Sequence, residues 1–289
     1  MKKYFFVSDI HSFYTPLIKA LNKKGFDVNN QDHILVVLGD VFDRGYETLE
    51  VYNFLKSIPK DRLILIRGNH ESLYIDLLDK DYPESYDFNN GTVRTFCQIA
   101  GIDEKFLSSN YWFIKAYLEG EEYQGIVPSA YEYWKKIKSR VEKSEITKWL
   151  KSNSWVNYLE TPKYICVHSW IPAATRFLHG YKDFPPEEIG YREDWRNATQ
   201  CEWLDATWGC PWKKAKLKWN KTGKTIICGH WHTSDFFNNL TKQHKHPDDC
   251  PIFKSKRYKL IGLDARTAAS NKINVLVLNE DELWHLQKE

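Results

Sequence analysis

Gly39-Asp40-Val41-Phe42-Asp43-Arg44-Gly45 and, further on, Arg67-Gly68-Asn69-His70-Glu71 are the stretches that decide how this chain is read. Each follows a short apolar run, Ile34 to Leu38 and Leu63 to Ile66, with the length and β-branched content of a strand buried on both faces. An open α/β sheet collects its ligands at the carboxyl ends of such strands, where the chain turns away.

The same arrangement recurs outward from these two stretches. Tyr4 to Val7 runs into Ser8-Asp9-Ile10-His11, Tyr164 to Val167 into His168-Ser169-Trp170, and Thr225 to Cys228 into Gly229-His230-Trp231-His232-Thr233. A single Asp-x-His pair would be incidental, because alternate residues of an extended chain share a side. Five such clusters in register with strand ends point to a metal centre. A carboxylate bridges two cations, and imidazole and amide oxygen complete sites for borderline ions. Glycine beside the ligands lets the backbone turn sharply without a Cβ clash.

Helical spacing fills the gaps between the first strands. One helix is expected from Thr15 to Lys24, with Thr15 as cap, Pro16 in first position and Gly25 as stop; another spans Glu47 to Lys56. Strand, helix, strand, helix, strand implies a parallel α/β unit. The later runs Lys259 to Leu263 and Ile273 to Leu278, joined by short turns, predict added antiparallel strands. Asp81 to Ser154 is helical and charged, including Ala130 to Lys151, and reads as a helical insertion or cap, about 81–155, over one edge of the sheet of a single domain covering 1–289. Thr241 to Arg257 has no periodicity and reads as a loop.

Composition narrows the function classes. Lys and Arg total 41 against 38 Asp and Glu, a net charge of +3 that is no argument for nucleic acid or an anionic membrane. Six cysteines without a C-x-x-C pair read as reduced cytosolic thiols, Cys166 and Cys228 as small core residues. The N-terminus lacks an apolar targeting core and no run approaches the ~20 apolar residues of a membrane span. A soluble, cytoplasmic protein is expected. The 12 Trp, 17 Tyr and 15 Phe read mainly as core filling.

The ordered set D-x-H (Asp9, His11), GD-x-x-DRG (Gly39 to Gly45), RGNHE (Arg67 to Glu71), VH (Val167, His168) and GH-x-H (Gly229 to His232) resembles the calcineurin-like metallophosphoesterases. Within them it is most similar to the bacterial and phage serine/threonine phosphoprotein phosphatases and the diadenosine tetraphosphatases. The resemblance covers most of the chain and leaves out the insertion. It implies a four-layer α-β-β-α sandwich with mixed sheets. It also implies that Asp9 and His11 bind a first metal, that Asp40 bridges, that Asn69, His168 and His230 bind a second, and that His232 joins the first. The phosphoprotein phosphatase branch often lacks histidine at the place of His232.

Two divalent ions are therefore expected, manganese first, with iron, zinc, nickel and magnesium as other candidates. A few Å apart, they would lower the pKa of a bridging water to give hydroxide and clamp phosphoryl oxygens. His70, beside Asn69, is placed to protonate the departing alkoxide, with Asp43 holding its imidazole; Arg44 would grip phosphate with a bidentate fork. Arg67 and Glu71 read as a buried structural pair, His33, His179, His244 and His246 as ordinary histidines, and Asp264 as either an outer-shell partner of the metals or a turn residue. Phosphoprotein phosphatases use a second arginine near a Trp-containing segment. Asp205 to Trp212 has none, which leaves Arg176, Arg192, Arg196 or Lys213 to substitute.

Three functions compete on this evidence. The first is phosphomonoester hydrolysis, with phosphoserine or phosphothreonine in proteins as substrate. The second keeps the metals and takes a nucleotide, be it a diadenosine polyphosphate, a cyclic nucleotide or a nucleic-acid end, stacked on the aromatic rings of the insertion. The third is an inactive scaffold of the same fold, against which the full complement of ligands and of His70, Asp43 and Arg44 counts.

Overall fold

The computed structural model of the protein describes residues 1–118, 126–152, 154–176 and 186–284. The first third is the α/β unit: β1 (Lys3–Val7), α1 (Tyr14–Lys23), β2 (His33–Val37), α2 (Thr48–Ser57), β3 (Leu63–Ile66) and α3 (Asn69–Asp79). Five helices follow: α4 (Ser85–Asn90), α5 (Thr92–Ala100), α6 (Lys105–Leu118), α7 (Ile126–Glu142) and α8 (Glu145–Leu150). Next come β4 (Trp155–Val156), β5 (Leu159–Glu160), β6 (Tyr164–Cys166), β7 (Ala173–Arg176), β8 (Glu187–Tyr191), α9 (Gln200–Ala206) and α10 (Pro211–Lys216). The chain closes with β9 (Thr225–Cys228), α11 (Thr233–Leu240), β10 (Phe253–Ser255), β11 (Leu260–Gly262), α12 (Thr267–Ser270), β12 (Leu276–Asn279) and α13 (Glu280–Trp284).

Two five-stranded sheets form, ordered β12-β1-β2-β3-β4 and β10-β11-β9-β6-β5, and β7 pairs with β8 alone. Both large sheets are mixed: β1, β2, β3 and β4 run parallel while β12 is antiparallel to β1, and β9 is parallel to β6 and β11 while β10 and β5 are antiparallel neighbours. The period of two sorts their side chains. Tyr4, Phe6, Val36 and Ile66 point from the first sheet into a core shared with Cys166, Ile227 and Ile261 of the second. Phe5, Val7, Leu35 and Leu65 point the other way, onto Leu17, Val51, Phe96 and Trp134 of the helices. Ile165, Ile226 and Leu260 of the second sheet meet Trp195, Trp203 and Phe236 on its outer face. Helices, sheet, sheet, helices is the four-layer sandwich expected, and both faces of each sheet are dry, which is why the strands read as continuous apolar runs.

Several local expectations differ. Thr15 is not the cap of α1. The helix begins at Tyr14 after Phe13, and the Thr15 amide and hydroxyl instead donate to Glu47, tying α1 to the start of α2. The helix expected from Ala130 to Lys151 is two, α7 and α8, because the Ser144 hydroxyl accepts the Thr147 amide (3.2 Å) and starts a new helix. The stretch 241–257 contains a strand, β10. Among the described residues of the insertion, Phe96, Trp134, Tyr111 and Leu107 are buried in the core of the first sheet's outer face. These rings fill the interior and are not available as a stacking surface.

Candidate metal centre

The loops after β1, β2, β3, β6 and β9 converge at one end of the sandwich. Among the described residues eleven non-glycine residues have positive φ, and seven of them are Asp9, His11, Ser12, Asp40, Asp43, Arg44 and His230. The left-handed region costs an L-residue roughly 1–2 kcal/mol. Strain gathered on the predicted ligands is the mark of a site whose geometry the fold enforces. The glycines make room for it: a Cβ on Gly39 (φ 84°) would lie 2.6 Å from His168 Nδ1 and 2.6 Å from Gly68 Cα.

Asp40 is the hub. Its Oδ2 lies 3.8 Å from both His11 Nε2 and His70 Nε2, and its Oδ1 lies 3.3 Å from His168 Nε2. His11, Asp40 and His70 form one group able to hold an ion, and Asp40, His168 and His230 another. Asn69 joins the second, with Oδ1 2.9 Å from His168 Nε2.

The second group is chemically explicit. His168 Nδ1 is 2.6 Å from the Leu38 carbonyl, so its proton sits there and Nε2 is a bare lone pair. That lone pair faces Asn69 Oδ1 at 2.9 Å, His230 Nδ1 at 3.2 Å and Asp40 Oδ1 at 3.3 Å. Asn69 Oδ1, Asp40 Oδ1 and the lone pair of a neutral His168 are acceptors aimed at one another, and a cation among them removes their repulsion. His11 is fixed in the same way, with Nδ1 3.1 Å from the Phe42 carbonyl and Nε2 turned to Asp40. Burial pushes the His11 imidazole well below its ordinary range, and the Arg44 and His70 charges add to that. Burial, with His168 beside it, pushes His230 down to about 3. Neutral imidazoles around a carboxylate fit a pair of borderline divalent ions.

Asp9 and His232 stand apart from these groups. The Asp9 carboxylate takes the Ser8 hydroxyl and the His230 amide (3.0 Å), and burial, then the Asp264 and Asp40 charges, hold it well above the usual carboxylate range. Crowded buried carboxylates of this kind call for a cation. The His232 ring is one-third exposed, with Nδ1 3.9 Å from Asp235 Oδ2. Asp264 is 4% exposed, accepts the Arg266 amide at 2.7 Å and feels His232 and Asp9, so it is at once a turn residue and a wall of the site.

The proton and phosphate groups also meet. His70 Nδ1 is 2.7 Å from Asp43 Oδ2, and His70 Nε2 is 3.3 Å from Arg44 Nη2. Burial drives the His70 imidazole down, but the Asp40 and Asp43 carboxylates outweigh it and the balance is upward. His70 lies within reach of an ion; Asp43 fixes its Nδ1, while Nε2 faces Asp40 Oδ2 and the Arg44 guanidinium, whose charge works against the two carboxylates.

Sequence reasoning missed the groups that hold this pair. Thr92 and Thr95 of α5 donate to the two oxygens of Asp43 at 2.8 and 2.7 Å, and Arg94 donates to the Arg44 carbonyl at 2.6 Å. The available signal was a pair of threonines one turn apart on a helix face that is otherwise apolar. The expected Arg67–Glu71 pair is absent among the described residues. Glu71 is buried and accepts the amides of Gly68, Asp40 and Val41 at 2.7, 3.0 and 2.9 Å, so it collects backbone donors rather than pairing with a side chain. Of the possible second arginines, Arg176 pairs with Glu187, Arg192 with Asp194 and Glu202, and Arg196 with Glu160; Lys213 is exposed. His33 is buried and receives the Asp27 amide at 2.9 Å, and His244 and His246 lie exposed in the loop before β10, as ordinary histidines would. His179 lies outside the described residues.

Comparison with known proteins agrees with this geometry. Residues 2–234 match the family model described as calcineurin-like phosphoesterase. The chain is 36% identical over 67 residues to a symmetrical bis(5'-nucleosyl)-tetraphosphatase of Buchnera aphidicola, 23% of each chain. It is 35% identical over 74 residues to an asymmetrical bis(5'-nucleosyl)-tetraphosphatase of Bacillus velezensis, 23% of this chain and 30% of that one. These matches thus span under a third of the curated relatives. A cold-active protein-tyrosine phosphatase of a psychrophilic Shewanella shares the fold, with a TM-score of 0.52 and 16% identity over 98% of this chain and 77% of that one. No helix among the described residues is long and apolar enough to cross a membrane.

Proposed function

The chain belongs to the calcineurin-like phosphoesterases, and on that premise we propose that it is a dinuclear metal-dependent hydrolase of phosphate esters. The observation that carries the proposal is the convergence of His168, His230 and Asn69 on Asp40. Asp9, His11 and Asp40 would hold a first cation, with His232 and Asp264 bordering it; Asp40, Asn69, His168 and His230 would hold a second. When bound, the ions supply an acidified water and a positive clamp for phosphoryl oxygens. Manganese is the first choice, since the donor set suits several first-row ions and selection follows availability.

The remaining work falls to the chain. Arg44, its backbone fixed by Arg94, neutralises phosphoryl oxygens from the side of the first sheet. His70 keeps one proton on Nδ1 against Asp43 and presents Nε2 to the centre, from which a second proton reaches the leaving oxygen. Asp43, gripped by two threonine hydroxyls, prevents the ring from turning. The intact set argues against an inactive scaffold.

Two substrate readings remain, a phosphoserine or phosphothreonine protein and a nucleotide. The tetraphosphatase relatives, and the pairing of Arg176, Arg192 and Arg196 to carboxylates, support the nucleotide. A cytoplasmic setting belongs to the same reading and rests on six free thiols. The test is hydrolysis of p-nitrophenyl phosphate and bis-p-nitrophenyl phosphate by metal-stripped protein reloaded with manganese, beside Asp40→Asn and His70→Asn. Manganese-dependent activity is expected, lost in Asp40→Asn and only reduced in His70→Asn, because p-nitrophenolate leaves without a proton. Silence on both substrates with metal bound would return the scaffold.

A further inference from the structure

Trp208 is a large aromatic side chain left exposed at the rim of the centre. Its surface is 51% open, and its ring stands edge-on to His230, with centroids 5.6 Å apart and planes at 86°. A single exposed aromatic is ordinary on a surface; what sets this ring apart is its contact with His230 of the proposed centre.

The ring is held on a rigid mount. The Gly209 carbonyl accepts Trp231 Nε1 at 2.7 Å and also the Ser169 hydroxyl, so the segment is bolted to the loops that carry both His230 and His168. Trp170 N donates to Ala206 O at 3.3 Å, a third tie between the same two segments. A Cβ on Gly209 would lie 3.0 Å from Trp170 Cβ and 3.0 Å from Lys214 Cε, so the segment packs closely against both. Lys214 is itself buried and paired with Glu188 at 2.5 Å. A ring fixed in this way loses little freedom when a ligand lies against it.

Arg44 stands beside His70 on the first-sheet side of the centre, and Trp208 stands beside His230 on the second-sheet side. We propose that Trp208 is a specificity-determining platform that stacks the flat ring of a nucleotide substrate while its phosphate occupies the centre. The proposal rests on the phosphoesterase reading and assigns the substrate class of that site. Every base offers a π-face, so such a platform prefers nucleotides over alkyl phosphates without selecting one base.

The test is calorimetric binding of AMP and of inorganic phosphate to the manganese-loaded full chain, for wild type, Trp208→Ala and Trp208→Phe, with AMP and glycerol 2-phosphate hydrolysis measured in parallel. Wild type should bind AMP more tightly than phosphate. Trp208→Ala should shrink that ratio roughly 5- to 100-fold, and Trp208→Phe should restore most of it. Equal weakening of AMP and phosphate would assign Trp208 to the support of His230 and overturn the platform, as would an unchanged ratio. If wild type hydrolyses no phosphoester, the enzymatic reading falls, and the binding ratio still decides the platform.

Discussion

The two halves of the site are built by different physics. The first-sheet half is held by short hydrogen bonds from several segments: buried Glu71 on three amides, buried Asp43 between two threonine hydroxyls, and half-buried Arg94 on the Arg44 carbonyl. The second-sheet half is framed by indole rings and by ion pairs that reach solvent, such as Glu160 with Arg196 and Lys224 and Arg192 with Glu202. Buried charge-to-amide bonds resist salt and hold atoms to fractions of an ångström, whereas exposed pairs are screened. On the proposed reading, proton transfer falls to the first half and substrate choice to the second.

The largest effect expected from this contrast is in kcat. His70→Asn should lower it about 10²–10⁴-fold for an alkyl phosphate and much less for p-nitrophenyl phosphate, whose leaving group needs no proton. Equal losses on the two would remove His70 as the proton source. Next comes metal affinity: His232→Ala should weaken one manganese by about 10–100-fold, the range of a bordering partner, whereas His11→Ala should abolish that site in a calorimetric titration. Matching losses would make His232 a ligand and erase the asymmetry. Glu71→Gln should cost about 1–3 kcal/mol of stability, seen as a lower urea midpoint that does not depend on salt.

The smallest effect is a pH dependence in the second half. The Arg196 hydrogen bond first, with Lys224 behind it, holds the Glu160 carboxyl down to about 2 from 4.5. A carboxyl depressed by folding stabilises above its unfolded pKa, and that contribution fades as pH falls from about 4.5 toward 2. The carboxylate is half-buried but its partner Arg196 is 43% exposed, and solvent screening should keep the contribution below about 1 kcal/mol. Glu160→Gln should therefore lower the urea midpoint at pH 7 and not near pH 2, and a deficit persisting at low pH would contradict the ion-pair account.

The fold was legible because the central strands β1, β2 and β9 are apolar on both faces, and runs such as Ile34 to Leu38 have the length of a strand. The cluster around Asp40 was legible because its members sit at the ends of those runs. Strands of two residues, β4 and β5, are too short to show a period. The role of Glu71 was misread because neighbouring opposite charges suggest a pair, while its partners are amides from another loop. Thr92 and Thr95 reach Asp43 across half a hundred residues, a contact that local pattern does not encode. Trp208 could not be told from the core tryptophans because exposure is a property of the assembled sandwich.

The position of β1 has a consequence for biosynthesis. It lies between β2 and β12, with Lys3 opposite Asn279, and Asp9 at its end also takes the Thr267 hydroxyl on its carbonyl at 2.8 Å. No residue of the proposed centre lies beyond Asp264, yet the strand that presents Asp9 and His11 stays an edge strand until residues 276–279 have left the ribosome. Contacts of such long sequence separation are slow to form. Until then β1 pairs with β2 alone, so deleting β12 should loosen the strand that presents Asp9 and His11 without touching one residue of the proposed centre.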